Sequence, residues 1–394
     1  MILSLIIIIF FGYIFSFLAK MLKLPHILGY ILAGVLVGPN VLNGLDQLVM
    51  INSGVIKQIA LMLILVISGL SIQLEDLKTN KIEMISLSII PSVLGIISGI
   101  FAGFFLLQLE LFESVLLGVV ICGVAPAIVL PRMLKIIEEK GEYKQIPQII
   151  FSAIILNDIL LLFLFPIFLF WINNSNDVLQ YSLLIPIIFM LEVVIAYLMT
   201  LLVVFIAKKC KIHKNLISFF FLIICIIIVL LEVKISAFLP FSAILLIVIF
   251  SIFIRYKSKE LADTIIVPFK KIWHLGELLL FTLVGAGLNL GILNQISISH
   301  FIALFVIQLF ISLGVLIVIN FYNYNIFEKK LYILSFSPKG TMQAALGFIP
   351  LSLGIVGGED ILIISIISIL IFAPFGSILL DRYFINNNSP MSQL

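Results

Sequence analysis

The stretch Phe151-Ser152-Ala153-Ile154-Ile155-Leu156-Asn157-Asp158-Ile159-Leu160-Leu161-Leu162-Phe163 decides how this chain is read. The apolar run around it extends from about Ile146 to Phe170. At 1.5 Å rise per residue, that is long enough to cross a hydrocarbon core of roughly 30 Å. Asp158 then falls near the middle of a membrane span. A carboxylate there costs about 2.5 to 3.5 kcal/mol on insertion scales, so it needs a partner, a proton or a water-filled cavity. Two readings follow: a neutral Asp hydrogen-bonded to a neighbouring helix, or an acid that holds an ion in transit.

Composition supports a membrane setting along the whole chain. Of 394 residues, 63% are hydrophobic and 11% charged, with a mean hydropathy of +1.32, against roughly 45 to 50% and about 25% in soluble domains. The expected class is an all-α polytopic membrane protein with the lipid bilayer as its surroundings. No stretch reads as a soluble domain, and no basic patch with interleaved aromatics points to nucleic acid. Cys122, Cys210 and Cys225 are isolated, lack CxxC or Cys/His spacing and read as structural. His26, His213, His274 and His300 lie at span ends without metal-ligand spacing and read as interfacial. The first twenty residues lack a basic n-region and a small-residue cleavage site, so they read as a span rather than a signal peptide.

Apolar runs separated by polar turns predict thirteen transmembrane helices, near 2–20, 27–42, 54–72, 84–108, 112–134, 146–170, 181–206, 215–232, 236–254, 267–289, 298–320, 330–352 and 360–381. Runs of about twenty nearly continuous apolar residues imply helices rather than a barrel. Of the 23 Lys and Arg, eighteen fall in connections after odd-numbered spans: Lys20, Lys23, Lys78, Lys81, Arg132, Lys135, Lys140, Lys144, Lys208, Lys209, Lys211, Lys214, Arg255, Lys257, Lys259, Lys329, Lys330 and Arg382. Only Lys57 and Lys234 follow even-numbered spans. Because basic loops stay cytoplasmic, the N-terminus is expected outside and the C-terminus inside.

Two spans carry helix breakers near mid-depth. The fifth contains Gly123-Val124-Ala125-Pro126-Ala127-Ile128-Val129-Leu130-Pro131 and the twelfth Ser335-Phe336-Ser337-Pro338-Lys339-Gly340-Thr341. Proline removes a backbone donor and clashes with the preceding turn, so each span is expected to unwind, or at least to kink. The interruptions lie seven spans apart, and an odd offset reverses direction through the bilayer. Spans one to six and eight to thirteen therefore read as inverted repeats whose broken helices cross at the midplane.

Crossed breaks aim four half-helix ends at one point, positive at N-terminal and negative at C-terminal ends. Asp158 can face the positive ends and Lys339 the negative ones, the lysine serving either as a dipole neutraliser or in transport. Carbonyls around Ala125, next to Pro126, and around Ser337 become candidate cation ligands. Asn157 borders the same cavity and can cap loose backbone or offer a neutral oxygen. Thr341 and Gln343 flank the second break as supporting groups, Gln343 one turn beyond Lys339. Glu192 in span seven is expected to be protonated or paired, and Glu277 in span ten to lie near an interface.

Several of these strings carry a family resemblance. Leu24-Pro25-His26-Ile27-Leu28-Gly29-Tyr30 through Gly38-Pro39 resembles the first-repeat opening of monovalent cation:proton antiporters. Ile59 to Val66, Ala125 to Pro131, Asn157-Asp158-Ile159-Leu160 and Pro338-Lys339-Gly340-Thr341-Met342-Gln343-Ala344-Ala345-Leu346-Gly347 resemble the NHA branch of that superfamily. The resemblance implies the sodium/proton antiporter fold in a homodimer. Residues 1–80 and 215–296 would form the dimer side, 81–172 and 297–394 the mobile core, and 173–214 a linking helix. It also implies that Asp158 is the ion-binding carboxylate, a Na⁺ candidate ligand, with Asn157 where many relatives have a second Asp. The NHA branch commonly pairs a Glu in the fourth span with an Arg in the eleventh, where this chain has Gly95 and Ile311; Gln308 is the nearest polar side chain.

The resulting expectation is a transporter of the cell membrane rather than an enzyme: protons exchanged for Na⁺ or Li⁺ on Asp158, with no cofactor. With Asn157 neutral, one carboxylate implies one proton per cation and electroneutral exchange. K⁺/H⁺ antiport and sodium-coupled symport of an organic anion on a related fold are the alternatives. An intramembrane aspartyl protease would need two carboxylates sharing a proton, and Asp158 has no second mid-span Asp.

Overall fold

In a bilayer every backbone polar group has to be satisfied within the protein, and runs of Ile, Leu, Val and Phe achieve this as helices. The computed structural model describes residues 2–22, 26–71, 80–140, 145–173, 178–209, 214–235, 241–287, 291 and 295–382. Lys23, Leu24, Pro25, Lys78, Lys144, Cys210, Lys211 and His213 lie outside them. Among the described residues the regular elements are helical. They are α1 (Ile2–Met21), α2 (His26–Val37), α3 (Gln47–Ile51), α4 (Ser53–Ser71), α5 (Lys81–Leu106), α6 (Leu111–Cys122), α7 (Pro126–Lys140), α8 (Ile146–Asn173) and α9 (Val178–Lys209). There follow α10 (Lys214–Ile235), α11 (Ala243–Lys257), α12 (Lys259–Ala286), α13 (Ile298–Ile319), α14 (Ile326–Ser335), α15 (Thr341–Leu346), α16 (Ile349–Ser352) and α17 (Gly358–Leu380).

Eight helical stretches among the described residues are long and apolar enough to cross a membrane, and two shorter apolar ones are His26–Val37 and Leu216–Glu232. The other stretches expected to cross differ for identifiable reasons. Helix α11 has 15 residues, α12 carries Glu260, Asp263, Lys270 and Lys271 in its first half, and the 330–352 stretch is divided among α14, α15 and α16.

Prolines sit inside α5, α7, α8, α9, α12 and α17 without ending them. Pro268 shows how this is tolerated. It cannot donate to the carbonyl of Thr264, and the Ser218 hydroxyl of α10 donates there instead, at 3.4 Å. Helix starts are capped by side chains: Ser242 accepts from Leu245 N–H, Ser258 from Leu261 N–H, and Asn325 forms a capping box with Glu328.

The chain divides into two compact units, Met1–Ile72 with Leu162–Leu288, and Gln73–Leu161 with Asn289–Leu394. The 173–214 stretch falls in the first. In that unit α2 packs on α1 and α12, and α4 on α11 and α12. The α2–α12 crossing depends on glycine from both sides. A Cβ on Gly34 would stand 2.0 Å from the Thr282 carbonyl oxygen, and one on Gly285 2.1 Å from that of Ile31. Small residues let helix backbones touch where lipid supplies no hydrophobic drive for association.

In the second unit α5 packs on α6 and α13, with a Cβ on Gly99 only 2.4 Å from the Gly118 Cα. Its core gathers Met84 and Leu87 of α5, Val129 and Met133 of α7, Ile150 and Ile154 of α8, Val315 of α13, Tyr332 of α14 and Leu380 of α17. That core fixes the first part of α8, and with it Asp158.

Candidate functional site

Both expected interruptions are present, and the first is narrower than its prolines suggest. Helix α6 ends at Cys122 and α7 begins at Pro126, so only 123–125 is unwound. Pro126 opens α7, where its missing N–H costs nothing, and Pro131 lies within the helix. The second break, 336–340, separates α14 from α15.

The two breaks are hydrogen-bonded to each other. Ala125 N–H donates to the Pro338 carbonyl at 2.9 Å. Gln343 Nε2 donates to the carbonyls of Val120 at 3.0 Å and Gly123 at 2.8 Å, while its Oε1 accepts from Gly340 N–H at 2.8 Å. Lys339 Nζ donates to the same Gly123 carbonyl at 3.2 Å. The approach is close, since a Cβ on Gly123 would stand 2.7 Å from Met342 Cβ and one on Gly340 3.0 Å from Ala125 Cβ.

Asp158 is 2% exposed and Asn157 1%. Both carboxylate oxygens of Asp158 and the amide oxygen of Asn157 are buried without a hydrogen-bond partner among the described residues. Lys339, 0% exposed, is electrostatically coupled to Asp158 and to Cys122, yet it gives its hydrogen bond to Gly123 rather than to the carboxylate. The site therefore holds one buried acid whose oxygens are unoccupied and one buried cation placed on the negative end of α6.

The Ala125 carbonyl, a candidate cation ligand by sequence, accepts from Ile128 and Val129 N–H at the start of α7; at Ser337, whose carbonyl is the other candidate, the hydroxyl donates to the Leu334 carbonyl at 2.8 Å. Thr341 is buried at the first residue of α15. The acceptor that gathers both donors is the Gly123 carbonyl, which sequence reading passes over because a backbone oxygen has no side-chain signature. Gly95 and Ile311 meet: a Cβ on Gly95 would lie 2.3 Å from Cys122 Sγ and 2.7 Å from Ile311 Cγ1. Any side chain at position 95 would therefore meet both Cys122 and Ile311.

Outside this site, Glu192 accepts from Ser242 N–H at 2.9 Å at the start of α11, where Glu232 also accepts from Ala243 N–H at 3.2 Å. Glu277 pairs with His26 at 3.1 Å. His300, expected at an interface, is buried and pairs with Asp360 at 2.9 Å. Two clusters had no sequence signal. Arg132 of α7 forms a two-pronged pair with Asp381, both bonds 2.9 Å. Glu83 of α5 accepts from Tyr332 OH at 2.7 Å and Tyr324 OH at 2.8 Å. Tyr324 lies in the 320–325 connection; burial first, then the Glu83 carboxylate, holds its phenol above the usual tyrosine range, against the opposing hydrogen bond with Tyr332. Among the described residues no group of three or more His, Cys, Asp or Glu is placed to hold a metal ion.

Comparison with known proteins covers nearly the whole chain. The family described as "Sodium/hydrogen exchanger, transmembrane" matches residues 6–384. Human sodium/hydrogen exchanger 9B2 is 28% identical over 375 residues, covering 91% of this chain and 68% of the relative. Sodium/hydrogen exchanger 9B1 of Macaca fascicularis is 24% identical over 341 residues, covering 83% and 66%. The chain thus spans about two thirds of the length of these relatives. The solved sodium proton antiporter MjNhaP1 of Methanocaldococcus jannaschii superposes with a TM-score of 0.71 at 19% identity, covering 96% of this chain and 94% of that one. That likeness establishes a shared fold, and the match along residues 6–384 adds the lineage: this multi-pass membrane protein belongs to the transmembrane sodium/hydrogen exchanger family, a family of transporters.

Proposed function

We propose that this protein is a secondary antiporter that exchanges protons for Na⁺ or Li⁺ across a cell membrane, with Asp158 as the group that both ions use in turn. The observation that carries the reading is a fully buried carboxylate with two unpartnered oxygens, in the unit where two unwound helices are bonded to each other. A cation needs the ionised carboxylate as a hard oxygen ligand, and protonation removes that charge, so occupancy is mutually exclusive. If the core moves only when the site is occupied, exclusion becomes exchange. Asn157 borders the site with a neutral oxygen.

Inverted repeats are supported by the two breaks and their direct contact. The Lys and Arg distribution supports an outside N-terminus and a cytoplasmic C-terminus. A homodimer is supported by the motif resemblance, and no resident cofactor is invoked because the ions are the cargo.

The test is proton flux in vesicles reconstituted with the full chain and driven by Na⁺, Li⁺ or K⁺ gradients. Wild type is expected to respond to Na⁺ and Li⁺, whereas Asp158→Asn is expected to show none of that response. Cation-driven flux persisting in the Asn variant removes Asp158 from the mechanism. A response to K⁺ alone reassigns the cargo.

A further inference from the structure

We infer that Gln343 is a positioning residue for this exchange: its amide closes off the negative end of α6, so that cargo binds at Asp158 and not on the carbonyls of the first break. The inference rests on the proposed antiport.

Helix α6 stops at Cys122, and the last carbonyls of a helix have no intrahelical N–H to accept. At the end of a helix these oxygens also carry its partial negative charge. Buried and left open, such carbonyls are the oxygen ligands a small cation takes when its water is removed. Gln343 prevents this directly. One Nε2 serves both Val120 and Gly123, at 3.0 and 2.8 Å, and Lys339 Nζ donates to the same Gly123 carbonyl at 3.2 Å. A carbonyl oxygen has two lone pairs, so the two donors saturate Gly123.

The amide is held from behind as well. Gly340 N–H, at the start of α15, donates to Oε1 at 2.8 Å, and a Cβ on Gly123 would come within 3.3 Å of Nε2. A side chain at this position has to offer two N–H donors toward α6 and one acceptor toward the second break. Glutamine meets both demands without adding charge. Leucine has similar volume and meets neither. Glutamate supplies the acceptor and, when protonated, one donor; ionised, it sets a carboxylate against two carbonyls, facing the charge of Lys339 and, through Lys339, Asp158 and the Cys122 thiol.

The experiment measures Na⁺-driven proton flux by the full chain in vesicles, with wild type, Gln343→Leu and Gln343→Glu at pH 6 and pH 8.5. For Gln343→Leu, freed carbonyls are expected to hold the cation, so the apparent KM for Na⁺ falls at least about threefold while Vmax falls at least about tenfold. A purely structural role would lower Vmax and leave KM within about twofold of wild type, and that result overturns the inference. Gln343→Glu decides the matter if the leucine variant does not fold. Its KM is expected to match wild type at pH 6 and to fall at least about threefold below it at pH 8.5. A KM equal to wild type at both pH values also overturns the inference. Absence of Na⁺-dependent flux in wild type removes the antiport and the inference together, whereas wild-type flux with unmoved KM in the variants removes only the inference.

Discussion

At the residue scale, an acid placed within an apolar span has to be balanced by a proton, a cation or a polar partner. Asp158 stood out because an acid in the middle of an apolar run has a cost that needs explaining, and the structure leaves both its oxygens unpartnered. Lys339 and Gln343 stood out because they lie within and beside the second helix break. What they bind did not, because the Gly123 and Val120 carbonyls are backbone atoms and depend on where α6 stops. Glu83 was equally hidden, lying two residues into α5 among loop lysines, with its phenol partners 241 and 249 residues away. That cluster gives a prediction. Both phenols donate to Glu83 Oε1; Glu83→Gln keeps that acceptor but removes the charge that strengthens the two bonds, and Tyr332→Phe removes one donor to a buried carboxylate. Each is expected to destabilise the protein by about 1 to 3 kcal/mol, read as a lowered thermal midpoint of the detergent-purified chain. An unchanged midpoint in both variants would show that the cluster contributes nothing to stability.

At the element scale, hydrophobic runs marked where helices lie, and breakers marked two that are interrupted. Proline alone was a poor guide to the position of the break. Pro131 sits within α7 as quietly as Pro91 does in α5, while the unwound residues are Gly123, Val124 and Ala125, just ahead of Pro126. A proline that opens a helix cannot be told from one that kinks it until neighbouring backbone is seen to fill the gap. Glycines were legible as motif letters but not as contacts. Gly34 and Gly285 are 251 residues apart, and each admits a carbonyl from the other's helix at a distance no Cβ permits. Gly285→Val is therefore expected to force α2 and α12 apart and to cost at least about 1 to 3 kcal/mol. Thermal unfolding in detergent checks it, with Gly54→Ala, where a Cβ meets nothing within 4 Å, expected to unfold like wild type.

At the scale of the whole molecule, charge governs what transport does to the membrane potential. In the unit Gln73–Leu161 with Asn289–Leu394, the candidate site holds Asp158, neutral Asn157 and Lys339, the last fixed on the Gly123 carbonyl. If Asp158 alone titrates during the cycle, one proton leaves for each Na⁺ that enters, and no net charge crosses. An imposed potential should then leave the flux unchanged. If Lys339 also released its proton, two protons would exchange for one cation. A potential of 100 mV would then contribute about 2.3 kcal/mol per net charge, which at 1.36 kcal/mol per factor of ten is about a fiftyfold change in the equilibrium gradient ratio. Vesicles clamped with K⁺ and valinomycin separate the two cases by a wide margin. One-for-one exchange predicts the same Na⁺ gradient at the null point at 0 and 100 mV, and a shift approaching fiftyfold would make Lys339 a second proton carrier.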